Sequence, residues 1–254
     1  MCLVVFAWKA HPDYQLVLAA NRDEFHRRPS QELHHWPDRP GVLAGRDLRA
    51  GGSWLAMHEN GRFATVTNYR EMARTEASLE SRGALVTDFV SGAASAGAFA
   101  TSINGDRFAG FSLLAADGDD LYYVSNRGDA PQRLDPGVYG LSNASLDTPW
   151  PKVLRSQDAL RRLLESGPIN ETSLFRLMAD RTCVPVSEVD SEHLPFIVAR
   201  AISAPFIVTP DYGTRCSTVL LWSNQGSVKL SERRFDANGN SEGESRFSFS
   251  LGSP

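Results

Sequence analysis

Cys2 is the residue of this chain with the clearest potential for chemistry. Removal of Met1, which is usual before a small second residue, would leave Cys2 with a thiol and a free α-amine on the same carbon. The amine has an ordinary pKa of about 7.7–8.0 and the thiol one of about 8.5, so near neutral pH the amine can accept the thiol proton, directly or through a water. One residue then supplies a nucleophile and its base. The alternative is a small buried hydrophobic residue at the start of a strand.

Motifs of other catalytic and binding classes are absent from the sequence. There is no Gly-x-Gly-x-x-Gly, P-loop, Gly-x-Ser-x-Gly, His-Glu-x-x-His or Cys-x-x-Cys. His34 and His35 form the only histidine doublet, and neighbouring side chains in an extended chain point apart, so we expect no metal site and no cofactor. The three cysteines are widely spaced, which argues against a disulfide framework, and we expect Cys183 and Cys216 to be structural.

Composition and charge narrow the class of partner. The 254 residues carry 30 acidic and 26 basic side chains, a formal net charge of −4, so a broad cationic surface for nucleic acid is not expected. No apolar run approaches the roughly 20 residues of a membrane-spanning helix. The apolar N-terminal stretch has no basic region before it and is too short for a signal peptide. We therefore expect a cytoplasmic protein without an integral membrane segment that acts on a small-molecule substrate or ligand; the sequence leaves its oligomeric state open.

Hydrophobic periodicity predicts the elements that must position Cys2. Short apolar runs bounded by turn residues predict strands at 3–8, 16–20, 53–57, 63–67, 108–115, 121–125, 138–141, 216–222, 228–235 and 246–249. Spacing nearer 3.6 predicts two helical pairs, at 83–90 with 95–103 and at 150–165 with 171–179; Thr148 is a candidate cap and Pro149 or Pro151 a first-turn residue of the third helix. The segment after Glu24 is crowded with prolines and histidines and predicts an ordered loop.

The order of these elements predicts the architecture. Strands joined by short turns favour antiparallel sheets, and each helical pair can cover one outer face of a two-sheet sandwich. We therefore predict an α+β fold with four layers, α/β/β/α, as a single domain over residues 1–254. The Gly51-Gly52 pair predicts either a tight backbone turn or a place where a ligand approaches the main chain.

Several separated motifs make the chain resemble the NRDE family, also called the transport and Golgi organization protein 2 family. They occur in order and cover nearly the full chain: Met1-Cys2 with its apolar strand, Asn21-Arg22-Asp23-Glu24, Gly51-Gly52-Ser53-Trp54-Leu55, Phe63-Ala64-Thr65-Val66-Thr67-Asn68-Tyr69-Arg70, Tyr139-Gly140-Leu141-Ser142-Asn143 and Tyr212-Gly213-Thr214-Arg215-Cys216-Ser217.

The same landmarks are similar to those of cysteine-type N-terminal nucleophile hydrolases, the superfamily of penicillin V acylases and conjugated bile acid hydrolases. This resemblance implies a four-layer α/β/β/α fold and hydrolysis of a linear amide C–N bond through a thioester. The arginine and aspartate are adjacent here, whereas those hydrolases separate them. The implied site residues are Cys2, Arg22, Asp23, Asn68, Asn143 and Arg215.

Within that resemblance the polar residues have physical roles. The oxygen of an amide attacked by the Cys2 thiolate becomes negative, and an amide donor such as Asn68 would stabilise it by a few kcal/mol. Asn143 is expected to orient the α-amine or to complete that oxyanion hole. Asp23 can accept hydrogen bonds from the α-ammonium. The alternative for both asparagines is conformational, because asparagine is common where a strand ends before a turn.

The arginines have alternatives of the same kind. Arg22 or Arg215 near the nucleophile would favour the thiolate and keep Asp23 ionised. Otherwise Arg22 pairs with Glu24 at the surface, and Arg215 is an ordinary charge at the rim of a sheet. Specificity is expected in the loops at 25–45 and 71–83, whose aromatic and basic side chains suit either an acidic or an aromatic acyl group.

Two other functions remain open. The first is a non-catalytic binding or trafficking protein on the same scaffold, since eukaryotic members of the family are associated with endomembrane organisation and with haem or lipid-metabolite handling. Haem ligation has little support here, because there is no Cys-Pro dipeptide and the histidines crowd into one segment. The second is a redox thiol protein, which is disfavoured since no second cysteine lies near Cys2 in the sequence.

Overall fold

The computed structural model describes residues 2–71, 79–189 and 194–251, and its first sheet contains Cys2. The six strands of this sheet are β1 Cys2–Trp8, β2 Tyr14–Phe25, β10 Gly137–Leu141, β11 Tyr212–Ser223, β12 Ser227–Phe235 and β13 Ser241–Ser250. They lie in the order β10-β1-β2-β11-β12-β13, and every neighbouring pair is antiparallel. The β1–β2 hairpin at its centre therefore places Cys2 directly opposite Arg22.

The second sheet has seven strands whose spatial order follows the chain. They are β3 Ser30–His35, β4 Val42–Asp47, β5 Leu55–His58, β6 Phe63–Asn68, β7 Phe111–Ala116, β8 Leu121–Ser125 and β9 Gln132–Arg133. All neighbouring pairs are antiparallel. Asn68 is the last residue of β6, and β6 is the strand of this sheet that contacts β1.

Helices cover the outer faces of both sheets. Helices α1 Arg82–Ser91 and α2 Ala96–Ser102 pack on the second sheet, and α3 Pro151–Glu165 and α4 Glu171–Met178 pack on the first; a short helix, α5 Phe196–Ala201, precedes β11. The result is the predicted α/β/β/α order of layers. Among the described residues, no helix is long and apolar enough to cross a lipid bilayer.

Alternation along β1 explains why the layers form. Val4, Phe6 and Trp8 point into the core between the sheets, whereas Leu3 and Val5 point toward α3 and α4. Successive side chains of a strand face opposite sides, so an apolar strand must be covered on both. Burying each large apolar side chain contributes about 1.5–3 kcal/mol, and this fixes the register of β1 against β2.

The expected loop after Glu24 is wrong, because the segment contains β3 and β4. Its prolines lie outside the ladders: Pro29 precedes β3, while Pro37 and Pro40 lie in the connection between the two strands. In addition β3 is the edge strand of its sheet and pairs on one side only, so irregular hydrogen bonding there is tolerated.

Helix α5 and strand β9, with six and two residues, were not predicted either. Both are shorter than the window over which periodicity can be read. Helix α3 begins at Pro151, as one of the two alternatives had it, but its N-cap residue is Trp150. Thr148 instead donates its hydroxyl to the Ser145 carbonyl at 2.8 Å, within the preceding turn.

Candidate active site

Cys2 lines a cavity of about 280 Å³ at the start of β1. The wall is formed by the end of β2, the turn before β5, the end of β6 and the first turn of α1, and it includes Arg22, Asp23 and Asn68. Cys2 is half-buried and faces this largely polar space. The position of Cys2 in β1 therefore places its side chain at a cavity that a small molecule can enter.

The thiol of Cys2 is held in its neutral form. Burial raises its pKa above the ordinary value of 9.0, and the negative charge of Asp23 acts in the same direction. The Asp23 backbone N–H and the Arg22 guanidinium act against this shift, since both favour a thiolate. At neutral pH the sulfur keeps its proton, so nucleophilic attack would need a base beside it.

Arg22 is the arginine that stands beside Cys2. Its side chain is buried at 6% exposure, its guanidinium lies 4.3 Å from the centre of the Trp54 ring, and Nη2 is 3.7 Å from a carboxylate oxygen of Asp47. Its Nη1 has no hydrogen-bond partner within residues 2–71, 79–189 and 194–251. The expected surface pair between Arg22 and Glu24 is not formed; instead Arg28 lies 3.8 Å from Glu24.

Asp23 is a buried carboxyl group that accepts a hydrogen bond from Thr214. Its Oδ1 accepts a 2.7 Å hydrogen bond from the Thr214 hydroxyl, and its backbone carbonyl accepts one of 2.8 Å from the Tyr212 hydroxyl. Burial raises the pKa of Asp23 to about 6, although the charges of Lys152 and Arg22 and the Thr214 hydrogen bond oppose the shift. Asp23 is thus mostly ionised at neutral pH, as the partner of an ammonium must be.

Asn68 and Asn143 meet although 75 residues separate them. The Asn143 side-chain amide donates to the Asn68 backbone carbonyl at 2.8 Å, and the Asn143 carbonyl accepts from the Arg70 backbone N–H at 2.7 Å. The neighbouring Ser142, which the sequence analysis did not single out, donates its hydroxyl to the Cys2 carbonyl at 2.7 Å. Asn143 therefore braces the strand end that carries Asn68, and Ser142 braces the strand end that carries Cys2.

Arg215 lies apart from this group. It occupies a bulge in β11, where the pairing with β2 shifts between Thr214 and Cys216. Its Nη1 donates to the His26 carbonyl at 2.8 Å and braces the turn that follows β2. In the part of the chain that the structure describes, Arg215 does not line the Cys2 cavity. A direct role for Arg215 near the nucleophile stays a prediction, and its contacts suit the rim-charge alternative.

Lys152 is a charged residue near the site that the sequence analysis missed. It belongs to the first turn of α3 and is only 3% exposed. Burial lowers the pKa of its ammonium to about 8, while the negative charge of Asp23 acts to raise it. A lysine after a proline at a helix start normally points into solvent, so nothing in the sequence marked it.

Cys216 has the structural environment that was expected. Its thiol is buried, and burial raises its pKa well above 9.0, as do the charge of Glu232 and the hydrogen bond to it. Glu232 also accepts the Leu33 backbone N–H at 2.9 Å. Cys216 therefore stays a neutral thiol at physiological pH.

A second cavity of about 800 Å³ adjoins the first. The two share Asn68 and Arg82, and the second is mainly apolar, with α5 forming part of its wall. Phe25, from the expected specificity segment, is half-exposed at this wall; of the other segment, residues 72–78 lie outside the described residues. The apolar lining comprises Phe25, Tyr69, Leu194, Ile197, Val198, Ile202, Pro210 and Tyr212.

Gly51 and Gly52 form the tight turn that was one of the two expectations. Gly51 has a φ of +79°, which disfavours any side chain. A Cβ at Gly52 would lie 2.5 Å from the Gly83 carbonyl carbon, so this glycine permits close contact with the first turn of α1. Gly52 also lines the Cys2 cavity, so the approach of a ligand to this backbone stays a prediction.

No group of three or more histidine, cysteine, aspartate or glutamate side chains that could hold a metal ion is present among the residues that the structure describes. The charged groups of the cavity are partnered mainly with one another and with backbone atoms. The functional groups that line the Cys2 cavity include its thiol, the Asn68 amide, the carboxylates of Asp23, Glu24, Asp47 and Glu80, and the guanidinium groups of Arg22, Arg28 and Arg82.

The chain is similar to known proteins over most of its length. Residues 1–237 match the family model described as Transport and Golgi organisation 2. The chain is 33% identical to the Transport and Golgi organization protein 2 homolog of Bos taurus over 256 residues, 92% of each chain. The homolog of Homo sapiens is 32% identical over the same shares of the two chains.

Two solved structures have the same fold. A C2A mutant of conjugated bile acid hydrolase from Clostridium perfringens aligns with a TM-score of 0.54 at 7% identity, over 99% of this chain and 92% of that one. The Caenorhabditis elegans ortholog of N-acylethanolamine-hydrolyzing acid amidase aligns with a TM-score of 0.50 at 12% identity, over 87% and 92%. The fold is thus that of the N-terminal nucleophile hydrolases.

Proposed function

This chain belongs to the transport and Golgi organisation 2 family, and we propose that it hydrolyses linear amide C–N bonds with Cys2 as the nucleophile. The observation that carries the proposal is the position of Cys2 at the start of β1, opposite Arg22 and in one cavity with Asp23 and Asn68. The two solved structures of the same fold bear the names of hydrolases, one of them an amidase, which supports the same chemistry here.

The proposed reaction starts from the chain without Met1. The α-amine of Cys2 takes the thiol proton, the sulfur forms a bond to the amide carbon, and the carbonyl electron pair moves to the oxygen. Collapse of this intermediate breaks the C–N bond, and the leaving amine takes the proton from the α-ammonium. Water then attacks the thioester carbon and gives up a proton to the α-amine of Cys2. The C–S bond breaks, the sulfur takes this proton, and the acid leaves while the Cys2 thiol is restored.

The surrounding groups have separate tasks in this scheme. The Asn68 amide is the candidate donor to the oxyanion, since it lines both cavities. Asp23 accepts hydrogen bonds from the α-ammonium, and Arg22, fixed by Trp54 and Asp47, favours the thiolate. The apolar second cavity adjoins the reacting carbonyl at Asn68 and suits an apolar part of the substrate.

The direct test is to trap the thioester. We expect intact-mass analysis to show a chain lacking Met1, and we expect a panel of N-acyl amides to include one that adds its acyl mass to Cys2 when the reaction is quenched in acid. The same substrate should release free amine with a burst equal to the enzyme concentration. Complete retention of Met1, or release of amine without an acyl adduct when water attack is slowed, would contradict the nucleophile assignment.

The pKa of Asp23 predicts opposite pH trends for activity and stability. Because the α-ammonium needs an ionised partner, kcat/KM should fall about tenfold per pH unit below pH 6. A carboxyl whose pKa is raised on folding stabilises the fold most below its unfolded pKa of 3.8, and this contribution is lost as pH rises through 6. Relative to Asp23→Asn, the wild type should therefore lose roughly 2–3 kcal/mol of unfolding free energy between pH 4 and pH 7.

Urea unfolding and pH–rate profiles check this pair of trends. The exposed Asp129→Asn is the matched control, and it should leave both profiles unchanged. If the residual activity of Asp23→Asn still falls below pH 6 as in the wild type, another group controls the decrease of kcat/KM at low pH.

A ligand-binding protein without catalysis is the second candidate, and the specific observation in its favour is the 800 Å³ apolar cavity. A non-catalytic binding protein should bind its ligand unchanged, without an acyl adduct, and replacing Cys2 should not alter the ligand's chemical structure or its turnover. The trapping experiment therefore separates the two candidates.

A further inference from the structure

A third, smaller cavity lies beside Lys152. It has a volume of about 90 Å³ and is bounded by the first turn of α3, by Arg70 and by Ile202. This space corresponds to roughly three water molecules or one small polar group. It shares Arg70 and Ile202 with the 800 Å³ cavity, so it forms an extension of the space that leads toward Asn68.

Lys152 lines this cavity and is only 3% exposed. Within residues 2–71, 79–189 and 194–251 its ammonium has no hydrogen bond and no ion pair within 4.0 Å. A buried ammonium without hydrogen bonds is costly, and proteins normally pair such a group or neutralise it. The negative charge of Asp23 acts to raise the pKa of Lys152.

A second cation lines the same space. The Arg70 guanidinium lies 4.6 Å from the centre of the Trp150 ring and borders the cavity together with Lys152. Its positive charge acts against protonation of Lys152. The acidic residue at this cavity, Glu188, is exposed and forms no ion pair with Lys152 within the described ranges. Two basic side chains, Lys152 and Arg70, therefore line this cavity together with the exposed Glu188.

We propose that the cavity at Lys152 and Arg70 is an anion-binding subsite for a carboxylate or phosphate group of the substrate. That the bound group belongs to a substrate rests on the proposed amide hydrolysis. The anion-binding subsite itself rests on Lys152 and the cavity. A substrate with its amide at Cys2 and its apolar part in the larger cavity would place an anionic end here. The preferred substrates are therefore anionic amides.

Binding to catalytically inert protein tests the subsite without relying on turnover. In Cys2→Ala protein, millimolar inorganic phosphate or acetate should raise the melting temperature, and adding Lys152→Met should weaken the apparent affinity at least tenfold. Lys152→Arg should retain binding. The control is Lys229→Met, the same change at an exposed lysine of β12, and it should behave like the parent. A response to acetate alone identifies a carboxylate, and a response to phosphate alone a phosphate.

Lys152→Met is expected to fold, because it replaces a buried charge with an apolar side chain of similar length. A melting temperature at or above that of the parent would confirm this. If neither anion stabilises the parent, or if Lys152→Met responds as strongly as Lys229→Met, the subsite is overturned.

Turnover then separates this inference from the proposed function. For a pair of amides that differ only in a terminal carboxylate or its methyl ester, Lys152→Met should lower kcat/KM at least tenfold for the acid and less than twofold for the ester. Anion binding without turnover of any amide would refute the hydrolase and keep the subsite. Equal losses for acid and ester would refute the subsite and keep the hydrolase.

Discussion

Replacing Cys2 with alanine is expected to reduce kcat by at least about 1,000-fold, to the level that binding and the oxyanion donors supply without a nucleophile. The reason is that every covalent step of the proposed reaction uses the Cys2 sulfur, whose cavity also contains Arg22 and Asp23. The fold should persist, because the half-buried sulfur lines a cavity and leaves the apolar core intact. Initial rates of amine release, with circular dichroism on the same samples, measure the two effects.

The matched control is Cys183→Ala, because Cys183 is also half-buried and its thiol lies 3.9 Å from the Arg181 carbonyl, away from the Cys2 cavity. It should keep kcat within a factor of two. Cys2→Ala protein should still bind substrate, so a loss confined to KM would contradict a covalent role for Cys2. Turnover by Cys2→Ala at the wild-type rate would refute the proposed mechanism as a whole.

The sequence was sufficient for the architecture because the layers follow from local patterns. Alternation in β1 and β2 and the 3.6 spacing in α1 to α4 each depend on neighbouring residues. Strands β3 and β4 were missed because their prolines, which lie in flanking connections, dominated the local composition. Pairing of β3 with β4 and of β4 with β5 determines the structure there, and the local composition does not show this pairing.

The candidate site shows the same division. The hairpin of β1 and β2 makes the Cys2–Arg22 juxtaposition predictable, since register follows from the buried pattern. The contact between Asn143 and Asn68 joins the ends of β10 and β6, strands in different sheets, so only the folded chain shows which group Asn143 holds. Lys152 is the extreme case, because its burial depends on how α3 packs against β1.

Asn68→Ala is the second change with a large expected effect, a fall in kcat of about 100- to 1,000-fold, equivalent to about 2.7–4 kcal/mol. An amide donor to the oxyanion strengthens as charge develops, so the loss should fall on kcat and leave KM nearly constant. Asn238→Ala, at the exposed turn between β12 and β13, is the matched control and should change neither parameter.

Asn143→Ala distinguishes direct stabilisation from support. Because the Asn143 amide is bonded to the Asn68 backbone carbonyl, its loss should act through the position of Asn68 and cost less, about tenfold in kcat. In the double variant the second change should then add little to the effect of Asn68→Ala, since both remove one oxyanion interaction. Fully additive losses would instead mean that Asn143 contacts the reacting group itself, and an unchanged kcat in Asn68→Ala would remove that residue from the oxyanion site.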